Sequence, residues 1–203
     1  MNAAEQNRPD IKEARDHWFA QFTDTPLNKL VFIDEFGAAT NMTRRYARGP
    51  RGQRVICTTP HGHWKVLSTI VAMNSNGIIT SCIFDEPIDT DMFAAFVEQM
   101  LLKTIKQLEP GQVVVMDNLP AHKSPRIRRL IESAGAKLLL LPAYSPDYNP
   151  IEMAISKIKT LLRSIAGRTV DEVSAAIGNA VNSITATDAA NYIKHSGYDA
   201  TIV

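Results

Sequence analysis

Residues 138–152, Leu-Leu-Leu-Leu-Pro-Ala-Tyr-Ser-Pro-Asp-Tyr-Asn-Pro-Ile-Glu, leave the backbone few choices. The leucines form an apolar run of strand length, ended by Pro142. Pro142, Pro146 and Pro150 each fix their own φ and bias the preceding residue away from helix, so a stiff loop follows. Asn149 is suited to an N-cap and Pro150 to the first helical position, where a missing N–H costs nothing. Ile151, Ile155, Ile158, Leu161, Leu162 and Ile165 then recur at helical spacing and predict a helix with one buried stripe. Glu152 falls in its first turn. There it is either a structural cap, since Asn149 and Glu152 fit a capping box, or a functional carboxylate.

Two more acids end apolar runs. Residues 30–33, Leu-Val-Phe-Ile, lead into Asp34, and residues 112–116, Gln-Val-Val-Val-Met, lead into Asp117. Both runs read as buried strands that present an aspartate at the carboxyl end. Glu35 follows Asp34 and must point to the opposite face of its strand. The 34 residues between Asp117 and Glu152 give room for a strand-helix-strand crossover and the loop.

Around these anchors the pattern is mixed. A helix is expected from Asp10 to Phe22, with Ala14, Trp18, Phe19 and Phe22 on one side, before Pro26 breaks it. Residues 65–73 and 78–84 read as antiparallel strands joined at Asn74 to Gly77. A helix over 92–107 is capped by Asp89 or Thr90, and a short basic helix over 126–134 stops at Gly135. Gly167 ends the helix begun near Glu152. Thr169 and Glu172 form a capping box for a helix over 169–184, and a last short helix covers 187–194. Alternating strands and helices of this kind predict an α/β sheet covered by helices. Residues 1–29 are expected to form a tail and helix ahead of a domain over 30–203.

Net charge is only +1, so local concentrations of charge carry the information. Arg44, Arg45, Arg48, Arg51 and Arg54 fall within eleven residues that hold no acid. A solvated turn accounts for such a run, but phosphate backbones favour it, and contact with nucleic acid is the preferred reading. Lys123, Arg126, Arg128 and Arg129 suit DNA steering or a solvated helix face equally. The two cysteines, Cys57 and Cys82, are too few for a disulfide framework and show no zinc spacing. No long apolar run is present, and a cytoplasmic protein is expected.

Taken together, three blocks resemble the catalytic domain of the DDE transposases, in the bacterial insertion-sequence branch of the mariner-like superfamily. They are Phe32-Ile-Asp-Glu35, Val115-Met-Asp-Asn-Leu-Pro-Ala-His122 and Leu141 through Glu152. Ile155 stands where relatives carry a tryptophan. The resemblance implies a ribonuclease-H-like fold, with a mixed central sheet flanked by helices. It implies that Asp34, Asp117 and Glu152 are catalytic metal ligands, with Asn118, His122 and Asn149 at the periphery. Oxygen donors without cysteine or histidine favour a hard cation, Mg²⁺ or Mn²⁺. The implied scheme uses two ions about 4 Å apart for in-line displacement at a DNA phosphodiester. It further implies cleavage of transposon ends, strand transfer into target DNA, a homodimer on DNA and a prokaryotic, nucleoid-associated location. Before residue 30 there is room for one helix, too little for a helix-turn-helix pair. End recognition is therefore expected from an upstream subunit or domain. A non-catalytic DNA-binding or dimerisation remnant, or a nuclease acting on another nucleic acid, are the alternatives.

Overall fold

The computed structural model describes residues 4–59, 61–104 and 108–198. Its centre is a five-stranded sheet in the order β3-β2-β1-β4-β5. β1 (Leu30–Ala39), β2 (Val66–Asn74) and β3 (Gly77–Phe84) form an antiparallel meander. β4 (Val113–Met116) and β5 (Lys137–Leu140) then continue the sheet in parallel with β1. β2 and β3 are joined by a short turn and β1 and β2 by a long excursion, whereas the parallel strands need helical crossovers. The turn at Asn74 to Gly77 forms as its residues demand: Gly77 takes φ +121° and the Asn76 N–H bonds to Asn74 Oδ1.

Residue alternation along β1 divides the core in two. Phe32 and Phe36 face α4 (Ile151–Ile165), α5 (Val170–Asn182) and α6 (Ala186–His195). Val31 and Ile33 face the opposite layer, α2 (Thr90–Ala95) and α3 (Pro125–Ser133). Both layers are needed because the central strands are apolar on both faces. Among the described residues, no helix is long and apolar enough to cross a membrane.

Several local expectations need correction. The helix foreseen from Asp10 to Phe22 is α1 (Pro9–Asp16), followed by a separate 3₁₀ turn at Phe19–Phe22. Asp10 lies inside α1 and pairs with Arg8 rather than capping the helix. The break lets Trp18 and Phe22 enter the α4 layer, where they meet Tyr198 from the far end of the chain. α2 is capped by Asp89 and passes into a π-helix at Phe96–Thr104; the rest of the helix foreseen to 107 lies outside the described residues. On α4 the expected stripe holds as far as Leu162, but Ile165 is 51% exposed. α4 ends at Ala166 in a left-handed conformation (φ +55°), not at Gly167. Gly167 instead allows close approach, since a Cβ there would sit 3.2 Å from Glu172.

Candidate active site

The parallel register assembles the site. Phe32 pairs with Val115 across β1 and β4. Asp34 lies two residues further along β1 and Asp117 just past the end of β4, so this register brings the two near enough for the Asp117 charge to act on Asp34. β5 lies on the other side of β4, with Leu140 opposite Met116, and Leu141 N–H donates to the Met116 carbonyl. The loop after β5 therefore starts at the same sheet edge. It leads to α4, whose first turn carries Glu152. Asp117, Asn118, Tyr144, Asn149 and Glu152 line one cleft of about 410 Å³.

Asp34 is only 8% exposed. Its Oδ1 accepts the Glu35 N–H at 2.7 Å, and its Oδ2 accepts a bond from Asn149 Nδ2 at 2.8 Å. Burial pushes its carboxyl up to about 7; the Glu35 N–H opposes this, and the charges of Glu152, Asp117 and Glu35 reinforce it. Asn149 is thus no helix cap. Pro150 occupies the cap position and Ile151 begins α4. A buried carboxylate 115 residues away has taken the amide that a local cap would have used. Glu152 is no cap either: α4 has no side-chain capping bond, and the Glu152 side chain is exposed at the cleft. Among the described residues, the Oδ1 of Asn149 has no hydrogen-bond partner despite its burial.

His122 ties the site to the other layer. A 3₁₀ turn at Pro120–Lys123 folds its ring inward until it is fully buried and lies 4.5 Å from the Phe93 ring. Nδ1 meets Asp117 Oδ1 at 2.5 Å and Nε2 meets Glu35 Oε1 at 3.1 Å. Both partners are carboxylates, so both ring nitrogens donate and the ring is an imidazolium. Burial opposes that charge, but the bonds to Asp117 and Glu35 outweigh it and raise the pKa to about 10. Asp117 Oδ1 also accepts the Leu119 N–H. Strand alternation does send Glu35 away from Asp34, yet through His122 it supports the neighbouring aspartate. No pattern in the sequence pointed to that bridge.

The basic residues are placed differently from one another. Arg44, Arg45, Arg48, Arg51 and Arg54 are all exposed on the long excursion between β1 and β2. Arg44 and Arg45 share a groove with Arg163 and Ala166 at the far end of α4. Arg168 fixes the base of this excursion through the carbonyls of Thr40 and Met42. Lys123 is exposed beside His122. Arg126 is engaged by Asp91 at 2.9 Å and Glu98 at 3.8 Å, so its charge is already paired.

The donor set suits a hard divalent cation. Asp34 is pushed up first by burial and then by the charges of Glu152, Asp117 and Glu35, and a cation would relieve that repulsion. Asp117 keeps one oxygen clear of the His122 bond, and the Glu152 carboxylate is exposed in the same cleft. Among the described residues, no group of three or more His, Cys, Asp or Glu side chains is close enough to close an ion shell. Asp117 and Glu152 line the cleft, while Asp34 is buried and not part of its lining.

Residues 29–175 match the family described as DDE superfamily endonuclease. No curated protein matches the chain. The structure is similar to a pre-cleavage Mos1 transpososome, with a TM-score of 0.77 at 15% identity, covering 96% of this chain and 60% of that one. A Mos1 mariner paired-end complex with Mn gives 0.74 at 17% identity, over 97% and 60% of the two chains. The catalytic domain of Mos1 mariner transposase gives 0.66 at 14% identity, over 96% and 90%. These likenesses identify the mixed sheet flanked by helices as ribonuclease-H-like. The chain spans about 60% of the length of the first of these relatives.

Proposed function

Because the chain belongs to the DDE superfamily endonuclease family, we propose that it cuts DNA phosphodiester bonds at the cleft of Asp34, Asp117 and Glu152. The observation that carries this reading is the buried Asp34, raised to about 7 beside Asp117 and Glu152. Burial disfavours the charged carboxylate and the nearby charges of Asp117 and Glu152 add to that, so a cation bound there would favour the ionised form.

Asp34, Asp117 and Glu152 would together hold the Mg²⁺ or Mn²⁺ that the reaction uses. Such ions, when bound, activate the attacking hydroxyl and stabilise the leaving oxygen. The chain's own contribution is orientation. Asn149 and the Glu35 N–H fix the Asp34 carboxylate. His122 fixes one oxygen of Asp117 and leaves the other for the cleft. Glu152 can swing from the first turn of α4 to complete the set, because no capping bond restrains it.

The similar Mos1 complexes are described as a transpososome and as a paired-end complex with Mn. Their likeness supports transposition as the biological reaction: release of a transposon end, then strand transfer into target DNA by a homodimer. On this reading the chain works at the nucleoid, and an upstream helix-turn-helix segment or subunit supplies end recognition. Asp34→Asn, Asp117→Asn and Glu152→Gln should each abolish Mg²⁺-dependent cleavage of end-containing DNA, supplied with that recognition component, while circular dichroism stays unchanged. Wild-type cleavage by Glu152→Gln would remove Glu152 from the reaction and refute the triad.

A further inference from the structure

The loop bearing Asn149 and Glu152 is not held by the sheet alone. Residues 142–149 make no strand pairing, and their internal order is one 3₁₀ turn at Pro146–Tyr148. Tyr144 sits in the left-handed region at φ +56°, an uncommon state for a residue with a Cβ. Besides Asp34, Phe19 and Tyr198, which hold Asn149 and Tyr148, one side chain of α1 reaches the loop at several points. Arg15 Nη1 donates to Ser145 Oγ at 2.7 Å and to Asp147 Oδ1 at 3.0 Å. Its Nη2 donates to Asp147 Oδ2 at 2.6 Å, completing a two-pronged bond to the carboxylate. The guanidinium lies 4.1 Å from the centre of the Tyr148 ring. Gln6 Nε2 adds a bond to the Tyr144 carbonyl at 2.6 Å.

An exposed ion pair would mean little. Here the Arg15 side chain is only 15% exposed, and every partner named above lies on one loop. Asp147 is two residues from Asn149, whose amide holds Asp34. We infer that Arg15 is a positioning residue of the active site: through Ser145, Asp147 and Tyr148 it sets the loop that presents Asn149 to Asp34 and starts α4 at Glu152. This rests on the carboxylate-centre reading and assigns α1 to the machinery of that centre. The guanidinium fork matters, because lysine supplies one point of charge and cannot grip both Asp147 oxygens in a plane.

The test is Mn²⁺ titration of the full chain without DNA, followed by electron paramagnetic resonance, alongside amide hydrogen exchange. Wild type and Asp117→Asn define binding at the site. Arg15→Met, which keeps the stem over Tyr148, should weaken Mn²⁺ binding about tenfold, or about 1.4 kcal/mol. Arg15→Lys should recover only part of the loss. Asp147→Asn should match Arg15→Met, and the double variant should be no worse than either, as expected for one coupled unit. Exchange should quicken across 145–152 while β1 stays protected. A purely stabilising arginine would lower the unfolding midpoint and leave Mn²⁺ affinity within twofold of wild type, and that result overturns the inference. If Asp117→Asn binds Mn²⁺ as wild type does, the metal reading fails, and exchange alone decides: quickening confined to 145–152 in Arg15→Met supports the positioning role, and unchanged exchange there overturns it.

Discussion

Replacing His122 with leucine isolates the bridge between the two layers. The ring is fully buried, while the Glu35 and Asp117 side chains are 23% and 33% exposed. Leucine can fill much of the space against Phe93 but donates to neither carboxylate. Two charge-assisted hydrogen bonds disappear, each worth about 1.5–3 kcal/mol. Water regains part of this at the partly exposed carboxylates, so the net cost is about 2–4 kcal/mol, near the low end of the range for breaking a buried ion pair. Urea unfolding at constant pH, with no divalent ion, measures it. With a slope of about 2–3 kcal/mol per molar, the midpoint should fall by about 1 M and the slope should not change. Glu35→Gln in the His122→Leu background should then cost much less than in wild type, because its partner is gone. A loss below about 1 kcal/mol, or full additivity of the two changes, would mean that His122 is a packed ring and not a bridge.

Three further outcomes follow from other parts of the molecule. Tyr198→Phe deletes a buried hydroxyl that accepts from Trp18 Nε1 and donates to the Tyr148 carbonyl; it should cost about 2–3 kcal/mol in urea unfolding, chiefly through the unpaired Trp18 N–H, and a change under about 0.5 kcal/mol would show that ring packing alone anchors the chain end. Alanine at Arg44, Arg45, Arg48 and Arg51 together should weaken DNA binding alike for all sequences and flatten its salt dependence, by about 0.9 in slope for each phosphate no longer neutralised; an unchanged slope returns the run to solvent. Asp188, bonded first to Lys157 and also to Thr185, is lowered to about 2 from a reference of 3.8. A depressed pKa stabilises above the unfolded value and loses that effect as pH falls through the folded one. Asp188→Asn should therefore be less stable than wild type above pH 4 in thermal melts, with the gap closing towards pH 2; a gap independent of pH would exclude linkage through this carboxylate.

The carboxylates were legible because strands advertise themselves. An apolar run followed by an acid locates the element, and Asp117 does follow the end of β4; Asp34 does not end its strand, because β1 runs on to Ala39, pairing with β2 past the acid. The capping box at Thr169 and Glu172 was equally local, and it formed as foreseen. Asn149 misled for the opposite reason. Its local chemistry favours a cap, but the structure offers a buried carboxylate that needs a donor more than the helix end does. Sequence spacing cannot rank those two acceptors. The same blindness hid the His122 bridge to Glu35, 87 residues apart, and the Arg15 contacts, 130 or more residues distant. Apolar spacing also ran α1 on to Phe22, since Trp18, Phe19 and Phe22 fit a helical side. What ended α1 early was a destination, Tyr198 near the other terminus, that no local pattern contains.

The separation of charge over the molecule bears on how DNA can be held. Asp34, Asp117 and Glu152 gather near the start of α4, and the one cation bonded there is His122, held between Asp117 and Glu35. An arginine inside that cleft would pair with them and compete with the cation for their oxygens. The arginine excursion instead lies against Arg163 and Ala166 at the other end of the helix. At about 1.5 Å per residue, the 15 residues of α4 set it roughly 20 Å from Glu152. With about 3.4 Å between successive phosphates along the axis, that distance corresponds to some six nucleotides. On the proposed reading, arginines so placed can grip the backbone of a duplex bound at the carboxylates without pairing with those carboxylates. Their loss should therefore weaken binding while leaving the metal dependence of cleavage at saturating DNA unchanged. A shifted Mg²⁺ requirement in the arginine variant would place the loop at the carboxylates and break this division.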